Sequence, residues 1–261
     1  MAQDIRGKVV IVTGGATGLG RAACVEFGSL GAKVAVVTGH NVTAGQETVR
    51  LVQEAGGEAE FFQCDITKEE QVAAMVAAVV AKWGRVDCAF NNAGVGPDGV
   101  RIPYGPLTEL TEETWDKVMS VNLKGTFFCL KHEILQMRKQ GGGAIVNTAS
   151  IGGLKMAPNF GAYGPSKAGV VALTQLAALE NAKAGIRVNV VCPGPTLETD
   201  LMANTLATDP NEEKALREHV IPMGKLGHAI DVARAAVWLC SELSGHITGQ
   251  SLSVDGGMHI A

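Results

Sequence analysis

The chain of 261 residues carries no excess of positive charge: 22 Lys and Arg stand against 26 Asp and Glu, a formal net charge of −4. Such a surface offers little to a polyanion, which argues against a nucleic-acid or anionic-membrane partner. An apolar run of bilayer-spanning length is also missing. The first run, Val9 to Val12, is strand-sized, and the polar start from Met1 to Lys8 does not read as a secretory leader. No Cys-x-x-Cys pair occurs among Cys24, Cys64, Cys88, Cys129, Cys192 and Cys240, and several of them sit inside apolar runs. They read as buried free thiols of a cytoplasmic protein. The six histidines lack ligand spacing such as His-Glu-x-x-His, so no metal is expected. No repeat, low-complexity segment or Pro/Ser-rich linker divides the chain.

What is present is a regular alternation. At this length one large α/β domain or two small ones are possible. Strand-like runs fall at 8–12, 33–37, 60–64, 86–91, 144–148, 187–191 and 251–254. Between them lie helical patterns at 18–30, 43–55, 68–83, 111–140, 163–184 and 230–240. Thr67 followed by Glu70 reads as a capping box for the third. Near-continuous apolar strands alternating with helices imply a parallel sheet covered on both faces. The strands span the whole length, so the expected fold is α/β: a single doubly wound, Rossmann-type domain over 1–261, with about seven strands. One stretch breaks the rhythm. From Pro193 to Pro222 the chain mixes Pro195 and Pro210 with Leu197, Leu201, Met202 and Leu206. A connection this long reads as a substrate lid, over 195–220.

The first strand runs into Thr13-Gly14-Gly15-Ala16-Thr17-Gly18-Leu19-Gly20, and a helical pattern follows. Glycines let a backbone turn tightly and approach a ligand, and a helix N-terminus offers N–H groups to a pyrophosphate. Between the first strand and the first helix, that is where a doubly wound sheet binds dinucleotides. Further motifs follow in order: Asn91-Asn92-Ala93-Gly94, Asn122 in Val-Asn-Leu-Lys-Gly, Ser150 after Asn147-Thr148-Ala149, and Tyr163-Gly164-Pro165-Ser166-Lys167. Pro193-Gly194 and Ser253-Val254-Asp255-Gly256-Gly257 complete the set. In these motifs, their order and their spacing over nearly its whole length, the chain resembles the short-chain dehydrogenase/reductase family.

The resemblance implies a nicotinamide cofactor held by Gly14, Thr17, Gly18, Leu19, Gly20, Asn92, Ala93, Gly94, Pro193 and Gly194. Asp65 and Ile66 resemble the adenine-contacting pair, and Thr196 or Thr199 the contact to the nicotinamide amide. It also implies a catalytic set of Asn122, Ser150, Tyr163 and Lys167, with Tyr163 and Lys167 touching the cofactor as well. On a helix Tyr163 and Lys167 lie one turn apart on one face. An ammonium near a phenol favours the phenolate, so Tyr163 is expected to exchange a proton with a carbonyl or alcohol oxygen. Ser150 is expected to hold that oxygen, Lys167 the nicotinamide ribose, and Asn122 a water linking Lys167 to solvent.

At the end of the second strand, Thr38-Gly39-His40-Asn41 contains no carboxylate to hold the adenosine ribose and repel a 2′-phosphate. Thr38 and His40 therefore tilt the cofactor reading toward NADP(H) over NAD(H). The expected reaction interconverts a ketone and a secondary alcohol on a small apolar or cyclic substrate, with Met156, Leu197, Leu201, Met202 and Leu206 lining the pocket. A 3-oxoacyl-carrier-protein reductase is the alternative within the family. The arginines such enzymes resemble one another in carrying are replaced here by Phe128 and Ala184. A non-catalytic dinucleotide-binding redox sensor is the alternative outside it, although Tyr163 and Lys167 are both kept. Outward apolar positions such as Phe127, Val171 and Leu179 would need covering, and a homotetramer is expected.

Overall fold

The central strand-like runs of the sequence become strands because their side chains find an apolar layer on either face, while the edge strands are only partly buried. In the computed structural model, which describes residues 2–97, 102–208 and 211–261, the strands are β1 (Val9–Thr13), β2 (Lys33–Thr38), β3 (Glu58–Gln63), β4 (Cys88–Asn91), β5 (Gly143–Thr148), β6 (Ile186–Pro193) and β7 (Ser251–Val254). All pair in parallel, in the order β3-β2-β1-β4-β5-β6-β7. Along β1, Val10 and Val12 enter a cluster with Ala23, Cys24, Phe27, Val232 and Ala236. Val9 and Ile11 enter the opposite cluster, with Val72, Met75, Val79 and Cys129. Burying each such side chain is worth about 1.5–3 kcal/mol, which makes the central strands the stable part of the molecule.

After a short N-terminal turn of helix at Ala2–Ile5, the helices are α1 (Gly18–Ser29), α2 (Val42–Glu54), α3 (Glu69–Trp83), α4 (Glu112–Met119), α5 (Thr126–Gln140), α6 (Tyr163–Asn181), α7 (Asp200–Thr208), α8 (Glu212–Ala215) and α9 (Ala229–Cys240). Strand order reverses between β1 and β4, which opens a crevice beyond their C-terminal ends. Every motif singled out above gathers at that end.

Several expectations are corrected. The helix expected over 111–140 is broken by a π-type turn, Ser120–Gly125, between α4 and α5. The expected capping box at Thr67 does not form: α3 begins one residue after Lys68, and the Thr67 hydroxyl donates to Asp65 Oδ1 at 2.8 Å. Val171, expected to face outward, is partly buried against the cluster of Ala149, Val170 and Val190, whereas Phe127 and Leu179 are exposed. All six cysteines are buried and free. Among the described residues no helix is long and apolar enough to cross a membrane.

The stretch expected to be a lid folds into α7, α8 and a π-type turn, Leu216–Val220; Asp209 and Pro210 within it lie outside the described residues. Met202, Leu216, Ile221 and Leu226 form a small core of their own. The stretch is pinned where it starts. Leu197 N–H donates to Gly227 O (2.8 Å), and Glu198 accepts from the Ala229 N–H (2.9 Å) that opens α9 and lies 2.8 Å from His228 Nδ1. Glu198 takes a left-handed backbone, φ 59°, which a non-glycine residue keeps only when its surroundings impose it.

Candidate active site

The glycine turn after β1 is packed too tightly for side chains. Gly14 has φ +67°, and a Cβ there would lie 2.9 Å from Ala93 Cα. One on Gly20 would lie 2.1 Å from the Gly14 carbonyl oxygen. Thr17 occupies the N-cap position of α1 yet makes no side-chain cap. The first-turn N–H groups at Gly18, Leu19 and Gly20 are therefore left for an anion, which is what a pyrophosphate needs. Gly18 faces the backbone of Glu198 and Thr199 across the mouth of the crevice. The turn fits a dinucleotide.

The opposite wall hangs from Thr13. Its hydroxyl accepts the N–H groups of Asn92 (3.0 Å) and Ala93 (3.2 Å) and is fully buried. Thr13 is a supporting residue that the sequence reading did not single out, although it opens the glycine motif. Gly94 follows, and a Cβ there would lie 3.2 Å from Asn122 Oδ1 and 3.3 Å from Lys167 Nζ. Asn122 sits in the π-type turn, a distortion common at functional sites. Its side chain clamps Val95 from both sides, accepting Val95 N–H and donating to Val95 O, each at 2.8 Å, and donates to Ser166 Oγ at 3.0 Å.

Tyr163 opens α6 and Lys167 lies one turn on, as the spacing requires. Lys167 is buried, donates to Thr148 O at 2.9 Å and stands 5.7 Å from the centre of the Tyr163 ring. Burial pushes its ammonium down to about 8. Burial also pushes the Tyr163 phenol up, while a hydrogen bond with the Ser150 hydroxyl draws it back. The net shift is upward, against the lowering that a neighbouring ammonium was expected to give. Ser150 Oγ additionally accepts the Gly152 N–H at 3.1 Å, which fixes its direction. Asn122, Ser150, Tyr163 and Lys167 thus converge at one end of the crevice.

Above them is an aromatic rim. The Phe160 ring lies 6.2 Å from that of Tyr163 and 5.9 Å from that of Tyr104. Gly105 bridges to Phe160, and the Tyr104 hydroxyl meets Thr205 Oγ1 on α7 at 2.9 Å. Sequence reasoning missed Tyr104 and Phe160, because a lone aromatic residue in a loop carries no periodic signal. Of the apolar residues expected to line the pocket, Leu201 flanks Gly96 beside Tyr163, and half-exposed Met156 touches Gly164. Leu197, Met202 and Leu206 pack together in the small core of the 195–220 stretch.

Near the adenosine end, Thr38 closes β2 and His40 is exposed. Burial raises the Asp65 carboxyl, but Thr67, His40 and Lys68 together bring it below its ordinary value. Ile66 is buried against Gly125. Pro193 ends β6, and Gly194 packs against Asp255. Both candidate threonines have spent their hydroxyl protons: Thr196 on Gly194 O and Thr199 on Thr196 O, each at 2.9 Å. Thr199 Oγ1 also accepts Met202 N–H at the start of α7. Among the described residues no group of three His, Cys, Asp or Glu side chains is placed to hold a metal.

Comparison with known proteins agrees with this geometry. A family profile described as enoyl-(acyl carrier protein) reductase matches residues 14–259. The chain is 40% identical to a 2,5-dichloro-2,5-cyclohexadiene-1,4-diol dehydrogenase of Sphingobium indicum, over 97% of this chain and 98% of that one. It is 40% identical to 3beta-hydroxysteroid dehydrogenase 1 of Eggerthella lenta, over 99% and 96%. The crystal structure of levodione reductase superposes with a TM-score of 0.90 at 35% identity, covering 98% of this chain and 99% of that one.

Proposed function

Because the chain belongs to the short-chain dehydrogenase/reductase family, and two relatives at 40% identity are named as a diol dehydrogenase and a hydroxysteroid dehydrogenase, we propose that it interconverts a ketone and a secondary alcohol on a small apolar or cyclic substrate. One observation carries the reading: Tyr163, hydrogen-bonded to Ser150 and backed by Lys167, lies between the glycine turn and the rings of Phe160 and Tyr104. Aromatic faces suit a flat or cyclic ring more than a flexible chain. Two relatives are named for ring alcohols, which supports the same choice.

The nicotinamide, when bound, supplies or accepts the hydride. Gly14, Thr17, Gly18, Leu19 and Gly20 hold its pyrophosphate, and Asn92, Ala93, Gly94, Pro193 and Gly194 line the remaining path. Thr196, nearly buried beside Gly194, and Thr199 stand at the nicotinamide end. The Ser150 hydroxyl orients the substrate oxygen. Tyr163 gives that oxygen a proton during reduction and takes one back during oxidation. Lys167 holds the nicotinamide ribose and keeps positive charge near the phenol. Asn122, which approaches Lys167 beside Gly94, positions a water through which Lys167 reaches solvent; the closeness of the two side chains supports this role.

For the adenosine end we infer NADP(H) over NAD(H), since Thr38 and exposed His40 stand where a ribose-binding carboxylate would exclude a phosphate. Exposed Phe127, Leu176 and Leu179 support a homotetramer, which light scattering tests; a monomer mass would refute it. Free buried thiols suit a cytoplasmic setting.

The decisive assay follows oxidation of NADPH and NADH with small cyclic and aromatic ketones, a carrier-bound 3-oxoacyl thioester, and the matching alcohols in reverse. Ring ketones are expected to be the better substrates. Phe128, at one position where a carrier-docking arginine would stand, is buried, and Ala184 fills the other. A clear preference for the carrier-bound thioester would overturn the substrate assignment.

A further inference from the structure

Beneath the site lies a buried carboxyl group that the reaction does not use. Glu133, on α5, is fully buried. Its Oε2 accepts from Asn91 Nδ2 at 2.8 Å. The same Asn91 nitrogen donates to Asn147 Oδ1 at 3.1 Å, and Asn147 Nδ2 donates to Thr174 Oγ1 at 2.8 Å. The Thr174 hydroxyl proton is spent on Val170 O at 2.7 Å. This chain of donors fixes every orientation in it. Thr174 has to accept from Asn147, so Asn147 presents its oxygen to Asn91, and Asn91 presents its nitrogen to both partners.

Two atoms remain without a partner: Glu133 Oε1 and Asn91 Oδ1. One is the second oxygen of the Glu133 carboxyl and the other the only side-chain oxygen of Asn91, in two side chains already joined by one hydrogen bond. As a carboxylate and an amide oxygen, both only accept, and neither satisfies the other. A proton on Glu133 turns its free oxygen into a donor for Asn91 Oδ1 and satisfies both at once. Leaving them unpaired would cost desolvation twice.

We propose that Glu133 is a positioning residue of the nucleotide site, held as a neutral acid in a cyclic carboxylic acid–carboxamide pair with Asn91, and that loss of its proton weakens nucleotide binding. Asn91 is the last residue of β4, and Asn92, Ala93 and Gly94 follow it directly. Its register partner Asn147 precedes Thr148, whose carbonyl holds Lys167. The pair therefore ties down the strand ends from which the cofactor wall and Lys167 are hung.

The surroundings keep the group neutral. Asn91 of β4 faces it, with Asn147 of β5 and Thr174 of α6 behind. α3 brings Val72, Met75, Val76 and Val79 to the same apolar cluster. Cys129 is one turn back on α5, with its thiol pushed well up by burial and by Glu133. The cations on neighbouring elements are engaged elsewhere: Lys167 with Thr148 O, Arg138 with Asn181, and Lys131 and His132 with Glu69. Burial raises the Glu133 carboxyl from 4.5 to about 7, against the hydrogen bond from Asn91.

The test compares the intact protein with Glu133→Gln, which keeps a donor and an acceptor but cannot ionise. A raised carboxyl group stabilises the fold fully below its unfolded value and loses that contribution as pH rises through its folded value. Relative to Glu133→Gln, the melting temperature of the natural protein should fall from about pH 4.5 to about pH 7 and then level off. Its affinity for the reduced nucleotide, read by fluorescence titration, should weaken several-fold over the upper part of that range, while the variant stays flat. In the natural protein alone, infrared difference spectra should show a protonated-carboxyl band disappearing near pH 7, well above ordinary carboxylates at about 4. Coincident pH curves for the two proteins, or no such band, would overturn the proposal. If the variant does not fold, the band alone decides. The proposal takes nucleotide binding at the glycine turn as given; should no nucleotide bind at any pH, the band and the melting curves still test the pair.

Discussion

Below Tyr163 the polar side chains are tied to strand ends, whereas above it the lid is tied to itself. Lys167 is held by the last residue of β5, Asn122 clamps the segment after β4, and Thr13 carries the backbone of Asn92 and Ala93. The lid instead gathers Met202, Leu216, Ile221 and Leu226 into a separate core. It meets the floor through Glu198 at one end and through the Tyr104–Thr205 contact at the rim. The floor inherits the rigidity of the central sheet, so its chemistry does not depend on which substrate arrives. Under the proposed function, this division assigns reaction type to the floor and substrate choice to the 195–220 stretch.

The largest effect that would break this division is expected at Tyr163. Tyr163→Phe keeps the ring but removes the exchangeable proton, and turnover should fall by at least about a hundredfold, the scale of a lost acid–base group. Nucleotide affinity and melting temperature should barely move. Near-normal turnover in that variant would remove Tyr163 from the reaction. Lys167 adds a pH signature. Burial holds its ammonium down to about 8, so its charge is lost as pH rises past that value, and ketone reduction should decline on the alkaline side. An alkaline limb that persists in Lys167→Ala would assign it to another group.

The second effect is smaller and concerns a part of the floor remote from the chemistry. Thr38→Asp places a carboxylate at the end of β2, where it would accept ribose hydroxyls and oppose a 2′-phosphate. The ratio of kcat/KM for NADPH to that for NADH should swing toward NADH by about tenfold or more, the equivalent of about 1.4 kcal/mol. An unchanged ratio would mean that the ribose lies elsewhere.

Floor and lid also differ in how far they can be read from sequence. The strands of the floor are short apolar runs with motifs at fixed spacing around them, so the sequence alone picked out Asn122, Ser150, Tyr163 and Lys167, which the fold brings together. The distortion around Asn122 was not visible, because a π-type turn leaves helical periodicity nearly intact on both sides. Nor was the lost capping box at Thr67, where Asp65, two residues back in the chain, takes the hydroxyl that the motif assigns to the helix. In the lid, length and proline content marked an irregular segment but not which way its side chains turn. Leu197, Met202 and Leu206 face inward because a short two-helix excursion has to bury something of its own to stay folded. The Glu133–Asn91 pair was hidden for a different reason: an acidic residue on a helix reads as solvent-facing, and only the fold shows it buried.

The smallest expected effect sharpens the comparison most. Tyr104→Phe leaves the ring beside Phe160 in place and deletes only the hydroxyl that meets Thr205. The bond is exposed, so its net worth is at most about 0.5–1.5 kcal/mol. If that bond steadies the lid over a bound ring, KM for cyclic ketones should rise by about two- to tenfold, the range those energies allow. Values of kcat, nucleotide affinity and the alkaline limb set by Lys167 should stay as they are, since no atom of the floor has moved. Phe160→Ala serves as the companion, because it removes the ring next to Tyr163 and should penalise cyclic substrates more than open-chain ones. Steady-state kinetics with one cyclic and one open-chain ketone across the pH range separates the outcomes. A KM change confined to cyclic substrates leaves floor and lid independent. A shift of the pH profile in Tyr104→Phe would show that the rim reaches the Tyr163–Lys167 pair, and the division between the two regions would fall.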